Sequence, residues 1–140
     1  AAAVSKISLT APEKLQAIVI ARPSHRASME VDLKELLTSA RGRATVVFYL
    51  ATAHLKSIVD AITASGYPSS TPATVVYRAT WGDQKIVTGT LEDVVEKVER
   101  EGIARDYILI VGPPNTPDLR RGAPRSVVYS REKQHQKRQE

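Results

Sequence analysis

The sequence predicts an α/β domain of three layers, α/β/α, built on a mixed sheet of roughly five strands. Three observations carry that expectation. Short, nearly continuous Val/Ile-rich runs recur along the chain, segments with apolar residues at i, i+3 and i+4 lie between most of them, and glycine or proline marks nearly every transition. With 140 residues, 42% of them hydrophobic and 25% charged, the chain has ordinary globular composition. At that length roughly 70% of the unfolded surface leaves water on folding, so a core forms without covalent staples.

The elements follow in order. Leu15–Ala21 (LQAIVIA), between Pro12 and Pro23, reads as a strand buried on both faces. Pro23–Met29 is polar and reads as loop, after which Asp32 is placed to cap a short helix with Leu33, Leu36 and Leu37 on one face and Gly42 at its close. Ala44–Leu50 (ATVVFYL) is a second buried strand. A helix over Leu55–Ser65 follows, with Leu55, Ile58, Val59 and Ile62 facing inward and Gly66 as its stop. A turn-rich connector, Gly66-Tyr67-Pro68 to Thr71-Pro72, leads into a third strand, Ala73–Thr80 (ATVVYRAT). Trp81-Gly82-Asp83 reverses the chain, and Gln84–Thr90 pairs back antiparallel as a fourth strand. Thr90 is expected to cap a helix over Leu91–Glu101, with Asp93 completing a near capping box and Gly102 ending it. Tyr107–Val111 (YILIV) is the last core strand. Asn115–Arg125 reads as loop, and Ser126–Tyr129 as a short edge strand. The domain is taken as residues 1–114, with 115–140 as a basic tail.

Charge is unevenly distributed. The net charge of +5 arises from 13 basic and 12 acidic side chains before residue 118 and 7 and 3 after it. Arg131–Glu140 (REKQHQKRQE) thus reads either as a solvated, frayed terminus or as a weak phosphate-binding arm. No aromatic is interleaved there to stack on bases, which speaks against a nucleic-acid partner. The chain has no cysteine, which excludes disulfides, thiolate metal sites and cysteine nucleophiles and fits a cytoplasmic protein. No apolar run of about 18 residues is present to span a membrane. The opening Ala1-Ala2-Ala3-Val4, without an initiator Met, reads as a cut through a larger protein.

Little in the residue pattern supports chemistry. His25, His54 and His135 have no ligand spacing among them, so no metal is expected. Ser24-His25 lacks the glycines of a nucleophile elbow, and neither GxGxxG nor GxxxxGK[ST] occurs. Asp83 and Glu92, the carboxylates near the conspicuous turn, read as solvated surface groups.

The block Thr71–Leu91, TPATVVYRATWGDQKIVTGTL, followed by YILIVG at Tyr107–Gly112, nevertheless resembles the C-terminal half of the tetrapyrrole methylase family, the S-adenosylmethionine-dependent methyltransferases of the cobalamin pathway. There a TP-x-A-x-V strand, an R-A-T-W-x-D turn, a V-x-G-T-L step and an L-I-L-V-G strand recur in that order. Leu15–Arg22 (LQAIVIAR) and Tyr67-Pro68 also fit, so the likeness spans about residues 1–112; Ser126–Ser130 (SVVYS) is only faintly similar to the family's closing S-x-L-Y.

The resemblance implies a two-domain enzyme that holds S-adenosylmethionine, and its product S-adenosylhomocysteine, in the cleft between N- and C-terminal α/β domains. It implies a precorrin-type tetrapyrrole substrate, no metal in this chain, a homo-oligomer, and the N-terminal methylase domain or a second subunit as partner. By position, Leu50, with Ala51 beside it, matches a residue that packs on the cofactor. Ala79, with Thr80, matches a small residue whose backbone approaches it closely, and an exposed apolar patch is expected around Leu50, Ala79 and Trp81. Tyr107 falls where the family has a small residue near the adenine, and Gly82 replaces a proline; both depart from the pattern. The family's glycine-rich strand-loop, its central aspartate-bearing loop and its P-G-x-S-S segment have no counterpart in these residues, so the isolated chain is expected not to turn over, and no catalytic residue is assigned. Read from the residues alone, a non-catalytic binding domain with a basic tail stays open as the alternative.

Overall fold

The structure, a computed structural model, describes residues 1–11, 15–23, 33–49 and 55–112. Its elements are β1 (Ala17–Ala21), α1 (Leu33–Ala40), β2 (Ala44–Phe48), α2 (Leu55–Ala64), β3 (Pro72–Tyr77), β4 (Lys85–Thr90), α3 (Val94–Arg100) and β5 (Tyr107–Val111). Among the described residues the strands form one mixed five-stranded sheet, as the sequence leads one to expect, and their order is β1-β2-β5-β3-β4. β1 and β2 run parallel, and β5 lies antiparallel between β2 and β3. β3 and β4 make the antiparallel hairpin read from the turn at Trp81-Gly82-Asp83.

The register sorts the side chains into two faces. Val46 pairs with Val111, Phe48 with Leu109, and Val75 with both Leu109 and Val87. These residues share one cluster with Leu37 of α1, Leu55, Ile58, Val59 and Ile62 of α2, and Val94 and Val98 of α3. The three helices therefore cover one face, each through the apolar stripe its i, i+3, i+4 spacing provides. Phe48 and Leu109 are fully buried at its centre. Each side chain of that kind stabilises the fold by roughly 1.5–3 kcal/mol relative to exposure. On the opposite face Thr45, Thr74, Val76 and Ile110 are also buried, while Ile18, Ile20 and Ile86 toward the two edges are exposed.

Three expectations need correction. The Leu15–Ala21 run is not buried on both faces: β1 is an edge strand paired only with β2 among the described residues, and Ile20 is 66% exposed. An apolar run reports strand propensity and says nothing about place in the sheet. The third strand stops at Tyr77 rather than Thr80, because Arg78 and Thr80 turn into the left-handed region. The last helix begins three residues late, with Asp93 rather than Thr90 as N-cap. Residues 91–93 form a tight turn closed by Asp93 N–H to Thr90 O, 3.2 Å.

Half of the expected capping box survives, since the Asp93 carboxylate reaches back to accept the Thr90 N–H at 2.8 Å. The bare backbone of Gly89 makes room for it, because a Cβ there would collide with that carboxylate. Gly42 and Gly66 end α1 and α2 with φ of +69° and +87°, as their positions in the sequence imply. Asp32, the 23–29 loop beyond Pro23, Asn115–Arg125, Ser126–Tyr129 and the tail lie outside the described residues.

Candidate functional site

The register gathers several strand ends at one edge of the sheet. Leu109 faces Phe48 on one side and Val75 on the other, and two residues earlier Tyr107 faces Tyr77. The exit of β2 at Tyr49, the exit of β3 at Tyr77 and the entry of β5 at Tyr107 thus lie side by side. β1 ends there too, because Tyr49 donates its N–H to Ala21 O at 3.1 Å.

Strain is concentrated at this edge. Among the described residues four non-glycine positions have positive φ, and three are here: Arg78 (+42°), Thr80 (+74°) and Asp106 (+59°). Aspartate tolerates that region, but for a β-branched threonine it is an outlier. Such conformations cost about 1 kcal/mol or more each and persist only where their surroundings over-determine them. Here the surroundings do. Arg78 N–H donates to Asp106 O at 3.0 Å, Trp81 N–H to Arg78 O at 3.0 Å, and Gln84 N–H to Trp81 O at 3.1 Å. Thr80 N–H donates to the Gln84 side-chain carbonyl at 2.7 Å.

The Arg78 side chain adds a second set of ties. Its guanidinium donates to Asp83 at 2.7 Å and reaches Asp106 at 3.5 Å. It also lies 5.1 Å from the centre of the Tyr77 ring and 5.4 Å from that of Trp81, within cation–π range of both. The hydrogen bond to Asp83 holds the guanidinium pKa above its ordinary value. Asp83 is exposed, as its reading from the sequence as a solvated surface group implies, and it is also half of this ion pair.

The site residues expected from the sequence divide as follows. Leu50 and Ala51 lie outside the described residues. Ala79 and Thr80 sit in the strained turn. Ala79 is half-buried, and among the described residues nothing hydrogen-bonds to its N–H or C=O. Tyr107 starts β5 at the same edge, but its ring belongs to the helix-side core and is 5% exposed, and that burial raises its phenol pKa. Trp81 is 66% and Tyr49 39% exposed, so large apolar surface does lie open beside the turn.

Sequence reasoning missed the part played by Asp106. A signal was available: an aspartate directly before a strand, in a turn after Gly102, is a residue that accepts the left-handed region. The same applies to Arg78, flanked by aromatics at i−1 and i+3.

A cavity of about 540 Å³ opens elsewhere, between β4 and α3, with Lys85, Lys97, Arg100 and Glu101 in its lining. Its cations are engaged, Lys85 with Glu101, Lys97 with Asp93 and Arg100 with Glu96. The three histidines lie outside the described residues. Among the described residues no group of acidic and histidine side chains could hold a metal, and no helix is long and apolar enough to cross a membrane.

A mixed five-stranded sheet with helices packed on it and a strained turn at its strand ends defines an α/β domain. The sequence carries that further, for residues 1–95 match the family of tetrapyrrole (corrin/porphyrin) methylases. The chain belongs to that family. It is 38% identical over 117 residues to the cobalt-precorrin-4 C(11)-methyltransferase of Methanocaldococcus jannaschii, covering 84% of this chain and 45% of that protein. It is 33% identical over 130 residues to the precorrin-4 C(11)-methyltransferase of Mycobacterium tuberculosis, covering 93% and 51%.

Among solved structures, a cobalt precorrin-4 methyltransferase superposes with a TM-score of 0.70 at 28% identity, covering 83% of this chain and 48% of that one. The uroporphyrin-III C-methyltransferase of Thermus thermophilus, solved with S-adenosyl homocysteine, shares the fold with a TM-score of 0.63 at 22% identity, covering 79% and 48%. The chain spans about half the length of the curated relatives it matches.

Proposed function

We propose that this chain is the C-terminal half of an S-adenosylmethionine-dependent methyltransferase of corrin biosynthesis, of the precorrin-4 C(11) type. The observation that carries the reading is the Arg78–Trp81 turn. It stands at the edge where three strands exit, and it offers the N–H and C=O of Ala79, without a partner among the described residues, beside a side chain too small to hold a ligand away. A backbone donor and acceptor on a rigid turn suit recognition of an adenosine, which combines a hydrogen-bonding edge with an apolar face.

Ala79 and Thr80 would hold the cofactor by their backbone, with Leu50 and Ala51 expected to pack on it from the end of β2. Tyr107, its ring sunk in the core, would meet it through backbone and ring edge. When bound, S-adenosylmethionine would supply an electrophilic methyl to a nucleophilic ring carbon of the tetrapyrrole, its sulfur keeping the bonding electron pair as the thioether of S-adenosylhomocysteine. This chain contributes one wall of the cleft and positions the donor, which is where most of the rate would come from. The facing wall, and the rest of the tetrapyrrole site, belong to the remaining half of the enzyme or to a second subunit.

The test is a calorimetric titration of the chain with S-adenosylhomocysteine. Weak but saturable binding is expected, together with no methyl transfer by the chain alone. Absence of binding favours the other reading, a non-catalytic interaction domain that keeps the fold, for which the exposed Trp81 and Ile20 would be the contact surface.

A further inference from the structure

We propose that Arg78 is a positioning residue for the cofactor, a clamp that fixes the strained turn from which Ala79 presents its backbone; the proposal rests on the cofactor reading given above. The guanidinium makes four contacts on different parts of the chain. It reaches Asp83 within its own turn, Asp106 at the entry of β5, the Tyr77 ring behind it and the Trp81 ring in front. Its own backbone repeats the link, N–H to Asp106 O and O to Trp81 N–H.

These contacts enclose the residues whose φ angles are unfavourable. Arg78, Thr80 and Asp106 would each relax toward negative φ if nothing held them. Among the described residues every hydrogen bond of the turn ties Arg78, Thr80, Trp81 or Gln84, and Ala79 is passed over. A surface ion pair alone would be a poor reason for so much order, since such pairs are worth little to stability. A turn that reads a ligand with its main chain must be rigid before the ligand arrives, and there the same contacts matter.

The geometry demands arginine. A planar fork can serve carboxylates on two segments while its faces lie near two rings; an ammonium is a point charge with no face to lie over a ring. Lysine would keep the charge and the stem and lose the bridge.

The experiment compares the chain with its Arg78→Met, Arg78→Lys and Asp106→Asn variants. Affinity for S-adenosylhomocysteine is read by calorimetry. Acrylamide quenching of Trp81, the only tryptophan in the chain, reads the clamp independently of any ligand. The expected result is a loss of affinity of at least tenfold for Arg78→Met and Arg78→Lys alike, with a rise in Trp81 quenching and a thermal midpoint within a few degrees of the parent. Asp106→Asn, which keeps a residue tolerant of positive φ, is expected to lose at least threefold and provides the decision if the arginine variants do not fold. Parent-like affinity in Arg78→Met, full rescue by lysine, or, where Asp106→Asn decides, its unchanged affinity overturns the clamp while leaving the cofactor reading in place. No binding by the unsubstituted chain overturns the cofactor reading and this role together.

Discussion

Arg78 donates its backbone N–H to the carbonyl oxygen of Asp106 across 3.0 Å, and that bond ties the exit of β3 to the entry of β5. Both residues have positive φ. The strands they belong to are antiparallel neighbours, so the sheet ends here in two strained turns bonded to one another instead of two loops free to move apart. A sheet end built this way trades some stability for a fixed shape.

That trade can be measured at Thr80, whose φ of +74° is costly for a β-branched residue. Thr80→Gly removes the strain and keeps the N–H that Gln84 accepts, at the expense of greater chain freedom when unfolded. The expected result is a net gain of about 0.5–1 kcal/mol, seen as a higher urea midpoint at unchanged slope.

Ala79 tests function separately from stability. It is half-buried and its backbone makes no hydrogen bond among the described residues, so a larger side chain disturbs few internal contacts. Ala79→Leu is expected to shift the thermal midpoint by no more than about 2–4 °C, the equivalent of about 1 kcal/mol or less. Its affinity for S-adenosylhomocysteine should fall at least tenfold, about 1.4 kcal/mol.

Core packing makes a different prediction at Leu109. This side chain is fully buried and faces Phe48 and Val75 across two strand pairs. Leu109→Ala leaves a cavity with helices on one side and a hydrogen-bonded sheet on the other, and should cost about 2–5 kcal/mol by chemical denaturation. A value below about 1 kcal/mol would mean that the sheet centre is not packed as described.

Alkaline pH should weaken the fold through its buried phenols. Burial raises the pKa of Tyr107, and of Tyr67, where Arg41 offsets part of the effect. The folded state therefore holds these protons more tightly than the unfolded chain does. Their contribution is complete below the ordinary tyrosine value near pH 10 and is lost as pH rises through the higher folded values. Denaturation midpoints should be level from about pH 7 to 9 and fall above about 10. Tyr107→Phe should flatten that fall.

Much of the architecture could be read from residue order because it depends on local pattern. Leu55, Ile58, Val59 and Ile62 face the core as their spacing requires, and Gly42 and Gly66 end their helices by accepting a conformation other residues avoid. What the sequence misjudged depends on contacts made across the chain. Leu15–Ala21 reads as a strand buried on both faces because the run is nearly all apolar, yet β1 lies at the sheet edge, its neighbours settled by where β5 inserts, 90 residues later.

The site shows the same division. Ala79 is singled out only through the likeness of the Arg78–Trp81 turn to the family, and with Trp81 it lies where β3 leaves the sheet. Asp106, 28 positions from Arg78 in sequence, could not be connected to it, because neither the backbone bond nor the carboxylate contact has a local signature.

The proposed cofactor site is the edge where β2 and β3 exit and β5 enters. The most direct measurement is a map of amide chemical shifts on the ¹⁵N-labelled chain during titration with S-adenosylmethionine. Saturable shifts centred on Ala79, Thr80, Asp106 and Tyr107 are expected. Shifts confined to the groove of Lys85, Lys97 and Arg100, or none at any amide, would contradict it.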